Sequence, residues 1–86
     1  MDREIVISDN KYKFISDSSS SMRNDGFRHT SRLYCNGIQI AIERVDYYNR
    51  TWEEYTFQTC MKKAVKSAID ASTDNIPNLK TLYDTL

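Results

Sequence analysis

Asn36-Gly37 stands between two runs that alternate apolar and polar residues, and this pair constrains the fold more than any other feature. Both residue types accept positive φ, as the two central positions of a tight hairpin turn require. A two-residue turn there sets Cys35 opposite Ile38, Leu33 opposite Ile40 and Ser31 opposite Ile42. Because side chains alternate along a strand, Leu33, Cys35, Ile38, Ile40 and Ile42 then share the core face. Arg28, Thr30, Arg32, Tyr34, Gln39, Ala41 and Glu43 share the outer face.

A second hairpin is expected nearer the N-terminus. Ile5 and Ile7 alternate with polar neighbours, although Val6 partly blurs the pattern; Tyr12 and Phe14 alternate in the same way, and Asp9-Asn10 lies between the two runs. A two-residue turn at Asp9-Asn10 pairs Ile7 with Tyr12 and Ile5 with Phe14, all on one face. Residues 16–26 read Ser-Asp-Ser-Ser-Ser-Ser-Met-Arg-Asn-Asp-Gly. This polar, low-complexity stretch predicts a flexible Ser-rich loop joining the hairpins.

Beyond the hairpins the period changes from two to about 3.6. Thr51-Trp52-Glu53-Glu54 fits a capping box, with Thr51 as N-cap and Glu54 reaching back to its amide. Phe57, Met61, Ala64, Val65, Ala68 and Ile69 form one apolar stripe, with Lys62, Lys63 and Lys66 outside it. The helix should end near Ser72-Thr73-Asp74-Asn75. Pro77 suits the first turn of a second, short helix, whose apolar side is Ile76, Leu79, Leu82, Tyr83 and Leu86. The expectation is one α+β domain over residues 1–86: an antiparallel sheet of two hairpins, about four strands, covered on one face by a long helix.

A chain of 86 residues has room for one core and little room for a deep pocket. Its 12 Lys and Arg balance 12 Asp and Glu. Zero net charge argues against a DNA mimic and against dominant non-specific phosphate binding. Two cysteines are too few for the disulfide framework of a small secreted domain. The N-terminus has no basic segment followed by an apolar run, and no apolar stretch approaches the ~20 residues that span a bilayer. A cytoplasmic protein with reduced thiols and no membrane attachment is expected.

The residues carry little catalytic signal. His29, Cys35 and Cys60 lack the spacing of a metal site, and burial of the thiols in the core is the simpler reading. In the register above His29 lies opposite Arg44 and too far from Cys35 to activate it, whereas a pairing of His29 with Cys60 stays open. With Gly26 and Gly37 as the only glycines, a Gly-rich phosphate loop is excluded. Glu53 and Glu54 complement the helix dipole. No catalytic residue, cofactor or metal is expected.

Two surfaces remain. Arg28, Arg32 and Tyr34 interleave on one strand, with Arg44, Tyr47, Tyr48 and Arg50 further on; such a face can stack bases and grip phosphates. Glu43 and Asp46 interrupt it, and a cross-strand pair of Arg32 with Glu43 would account for the charge. The second surface is the sheet-to-helix junction, which holds Tyr47, Tyr48, Trp52 and Tyr55 within ten positions. On a helical wheel Trp52 and Tyr55 lie opposite Phe57 and Ala68. Either they anchor a partner, or Leu79, Leu82 and Tyr83 fold back to cover them.

The run Tyr47-Tyr48-Asn49-Arg50-Thr51-Trp52-Glu53-Glu54-Tyr55-Thr56-Phe57-Gln58 resembles a segment of small proteins from phages and mobile elements of Gram-positive bacteria. There too a strand leads through a Tyr-Tyr-Asn-Arg-Thr-Trp-Glu run into an Ala-rich helix. The similarity covers roughly residues 37–70 and carries no assigned functional residue. It implies a setting: a small accessory protein inside a bacterial host, binding a host protein or ribonucleoprotein. Inhibitors of defence systems, including anti-CRISPR proteins, are one class of such proteins. The residues themselves favour a non-catalytic interaction protein, with Tyr47, Tyr48, Arg50, Trp52 and Tyr55 as its main contacts and Arg28, Arg32 and Tyr34 second. A nucleic-acid-binding regulator using the Arg/Tyr sheet face, and a homodimer joined through the aromatics, are the alternatives.

Overall fold

A computed structural model of the chain describes residues 2–21, 26–71 and 78–86. Strand β1 (Asp2–Ile7) turns into β2 (Asn10–Ser21), and β3 (Gly26–Cys35) turns into β4 (Ile38–Tyr47). A 3-10 turn at Arg50–Trp52 opens helix α1 (Glu53–Ala71), and α2 (Leu79–Thr85) follows. Among the described residues the sheet has four strands, antiparallel and hydrogen-bonded in chain order. Helix α1 lies across β3 and β4, and α2 packs beside α1. This is the α+β arrangement that the change of period predicts.

The core lies between the layers. Tyr12, Phe14 and Leu33 of the sheet meet Met61, Ala64, Val65 and Ala68 of α1 and Leu79, Leu82 and Leu86 at the C-terminus. Full burial of one such large apolar side chain stabilises by about 1.5–3 kcal/mol. The short helix docks because its apolar side enters this cluster, not because seven residues would hold a helix alone. Ile69 belongs elsewhere: it is exposed at the edge of the stripe. Phe57 is half-buried and rests on His29, with ring centroids 3.7 Å apart. The expected helix end at residues 72–75, and Ile76 and Pro77, lie outside the described residues.

The hairpins differ from expectation in register. The first turn is Ser8-Asp9, both with positive φ, not Asp9-Asn10. Ile5 therefore faces Tyr12, and Ile7 faces Asn10. The slip is two residues, so every side chain keeps its face. The second turn is Asn36-Gly37 with φ of 50° and 87°, as expected for this pair. Cys35 pairs with Ile38, but the register shifts between Leu33 and Tyr34, and Leu33 then faces Ala41. Ile40 and Ala41 both pack against the core. A bulge of this kind reverses the alternation beyond it. Ile42 consequently lies opposite Arg32 on the outer face, and His29 faces Val45, not Arg44. Ile38, beside the turn, is 70% exposed and not part of the core.

The Ser-rich loop is also corrected. Residues 16–21 continue β2 and pair with residues 26–31 of β3; residues 22–25 lie outside the described set. Ser16 and Ser31 are buried opposite each other, their hydroxyls 3.2 Å apart. Short side chains with mutually satisfied hydroxyls let a polar stretch pass beneath the helical layer.

Candidate interaction surface

The junction is built from β4 outward. Asn49, not Thr51, caps the helical turn: its side-chain oxygen accepts from the Thr51 amide at 3.0 Å and from the Thr51 hydroxyl. The Trp52 amide donates to the Asn49 carbonyl at 2.9 Å. A side-chain oxygen satisfying the first free amides is the ordinary work of an N-cap residue. Glu53 and Glu54 then sit in the first turn of α1, where acidic residues suit the dipole.

This cap sets Trp52 and Tyr55 edge to face, with ring centroids 5.8 Å apart and planes at 74°. Trp52 is 57% exposed, Tyr55 67% and Tyr48 65%. The three line a groove of about 380 Å³ between the end of β4 and the start of α1. Tyr48 rests on Gly26: a Cβ there would lie 2.7 Å from the tyrosine ring, so the glycine makes room for it. Leu79 and Leu82, buried in the core, do not cover these aromatics.

Tyr47, expected among the contacts, borders this groove but is anchored inward. It is buried, stacked on Phe27 with centroids 5.3 Å apart, and its hydroxyl lies 2.6 Å from that of Ser18. Its work is to join β4 to β2. Arg50 opens the 3-10 turn, and its side chain lies outside the described set.

The outer sheet face carries Arg28, Arg32 and Tyr34, as expected, but four of its cations are matched, Arg44 being unpaired among the described residues. Arg28 pairs with Asp46 at 3.0 Å, Arg32 with Asp17 at 3.4 Å, Lys11 with Glu4 at 3.7 Å and Lys13 with Asp2 at 4.0 Å. The expected Arg32–Glu43 pair does not form, because the bulge moves Glu43 to the opposite face. Exposed pairs of this kind add little stability, yet they weaken the field a phosphate backbone would need.

Along α1 the helix continues into a surface that wheel positions could have disclosed. Tyr55, Thr59, Lys62 and Lys66 recur at helical spacing, away from the core stripe. With Lys63 and with Tyr83 of α2 they line a second concavity of about 550 Å³. Gln58 ties the two helices together beside it, donating to the Leu86 carbonyl at 2.8 Å.

The thiols and His29 lie elsewhere. Cys60 is buried; its thiol donates to the Glu43 carbonyl at 3.3 Å and contacts the His29 carbonyl at 3.7 Å. Burial pushes its pKa up to about 11, which keeps it a neutral packing group. Among the described residues neither ring nitrogen of His29 has a partner, so the imidazole does not engage this thiol. Cys35 faces Tyr12, whose hydroxyl is pushed up to about 12 by burial and then by the thiol. Among the described residues no cluster of three or more His, Cys, Asp or Glu could hold a metal ion. None of the described helices is long and apolar enough to cross a membrane. Comparison of the chain with family models, with curated proteins and with solved structures finds no match.

Proposed function

We propose that this chain is a non-catalytic binding protein that engages a protein partner through the groove of Tyr48, Trp52 and Tyr55. One observation carries the reading: the aromatics stay exposed although α2, the segment that could cover them, is docked in the core. Large aromatic side chains at a groove are the usual anchors of protein interfaces. The bacterial setting, with a host protein or ribonucleoprotein as target and inhibition of a defence system such as CRISPR as outcome, rests on the resemblance of Tyr47–Gln58 alone. The nucleic-acid alternative loses ground on the sheet face, where Arg28 and Arg32 are already paired with carboxylates.

The test is Trp52→Ala combined with Tyr55→Ala. Melting by circular dichroism should move little, because neither ring is in the core. Capture of a host partner should weaken by a factor that corresponds to at least about 2 kcal/mol. Unchanged capture would remove the groove from the interface. A collapse in melting temperature would show the rings to be structural.

A further inference from the structure

The concavity between α1 and α2 differs in charge from the largely paired outer face of the sheet. No carboxylate lines it, and Lys62, Lys63 and Lys66 form no ion pair among the described residues. Lys63 and Lys66 also border a shallower depression with Glu43 and Asp70, again without an ion pair. On the sheet, by contrast, four cations are matched within 4.0 Å. In a chain of zero net charge, this helix face gathers three lysines without an ion pair, whereas the other unpaired cations among the described residues, Arg3, Arg44 and Lys80, stand singly on β1, β4 and α2. It is also continuous with the aromatic groove, since Tyr55 and Thr59 line both.

We propose that the α1 face binds an acidic peptide segment of a protein partner, with an apolar side chain in the corner between Trp52 and Tyr55 and carboxylates on Lys62, Lys63 and Lys66. The proposal rests on the binding reading above and specifies the partner's chemistry. Charge complementarity calls for an anion, and two features choose peptide over nucleic acid. First, a polynucleotide needs base platforms interleaved with cations along its path. Tyr83, the aromatic at the lysine end that α2 supplies, already has the Lys62 ammonium 5.7 Å from its ring centroid. Second, among the described residues no cation lines the aromatic end, where Asp46 is already paired with Arg28, so nothing there would hold a phosphate. A ligand with separate apolar and anionic parts fits this order. From Tyr55 to Lys66 the helix rises about 16 Å at 1.5 Å per residue. An extended peptide covers that distance in about five residues, so the ligand reads as an apolar side chain with a run of Asp or Glu about three to six residues away.

Fluorescence anisotropy of labelled synthetic peptides against the whole chain tests this. One peptide carries Phe followed at that spacing by a Glu run; its sibling carries Gln in place of Glu; a third probe is an oligo-dT of matching charge. The Glu peptide should bind roughly tenfold more tightly than the Gln sibling and weaken as salt rises. Lys62→Gln with Lys66→Gln should reduce its affinity roughly three- to thirtyfold, with melting unchanged. Trp52→Ala with Tyr55→Ala should weaken both peptides. Equal binding of the Glu and Gln peptides, no binding of either, or tighter binding of oligo-dT would overturn the acidic-peptide assignment. If the lysine variants have no effect while the aromatic variant abolishes binding, this proposal fails and the groove stands. The reverse pattern retains the acid preference and removes the groove.

Discussion

His29 is the residue this fold satisfies least. Its ring is fully buried against Phe57, and neither nitrogen has a partner among the described residues. An orphaned buried polar group costs about 1–3 kcal/mol. Its position was legible in principle, because it lies an even number of residues from Leu33 and Cys35 and so shares their face. Burial lowers its pKa, against an opposing pull from Asp17 and Glu53. The unfolded chain therefore takes up a proton at a higher pH than the folded one does. Stability from this group is whole above the ordinary histidine value of about 6.5 and falls as the pH drops below it. Urea midpoints taken between neutral pH and the onset of carboxylate titration should decline, with a slope of at most about 1.4 kcal/mol per pH unit from this one group. In His29→Leu the slope should disappear, and stability at neutral pH should hold or rise, since an apolar group of similar size removes the orphaned nitrogens. A slope shared by wild type and variant would mean that the ring reaches water.

Elements whose local chemistry matches their tertiary role were readable; those whose role depends on a distant partner were not. Asn36-Gly37 announced its turn because positive φ is a local demand. The Ser8-Asp9 turn lies one residue before the expected Asp9-Asn10, which slips the register by two, since neither pair is a strong signal. That error was harmless to the faces. The bulge at Ile40-Ala41 was invisible, because an apolar run offers two alternations and only the packed helix selects one. The second half of β2 was lost for the opposite reason. Its serines have no hydrophobic period, and pairing with β3 makes them a strand. Hydrogen exchange separates the two descriptions. The ladder amides of residues 16–20 should be protected to nearly the same degree as those of residues 12–14. Exchange at the rate of an open chain would restore the flexible loop. Ser31→Ala, which removes the hydroxyl that accepts from Ser16, should destabilise by about 0.5–1.5 kcal/mol, the net worth of one such bond.

At the scale of the molecule, length comes from one strand. The described body measures 41 × 21 × 20 Å, and the twelve residues of β2 span about 40 Å at 3.4 Å each. The helical layer covers one face of this long sheet, and mostly paired charges occupy the other. What is left for recognition is α1, together with the two sheet edges. Both edges are poor templates for another chain. On β1, Asp2, Arg3 and Glu4 are exposed and charged. On β4 the bulge interrupts the ladder, and Arg44 and Asp46 are exposed beyond it. Edge pairing between copies is thus disfavoured, and the aromatic groove is the surface through which a homodimer would form. Repulsion opposes that too, because two copies meeting there across a twofold axis bring two lysine-lined concavities towards each other. A monomer is expected by sedimentation equilibrium at low ionic strength, where like charges repel most. If high salt drives dimerisation and Trp52→Ala with Tyr55→Ala abolishes it, the groove is self-complementary once its lysines are screened. A salt-independent dimer that survives the double substitution would instead locate the contact on a sheet edge, and the charges of β1 and the bulge of β4 would not be the barriers they are taken to be here.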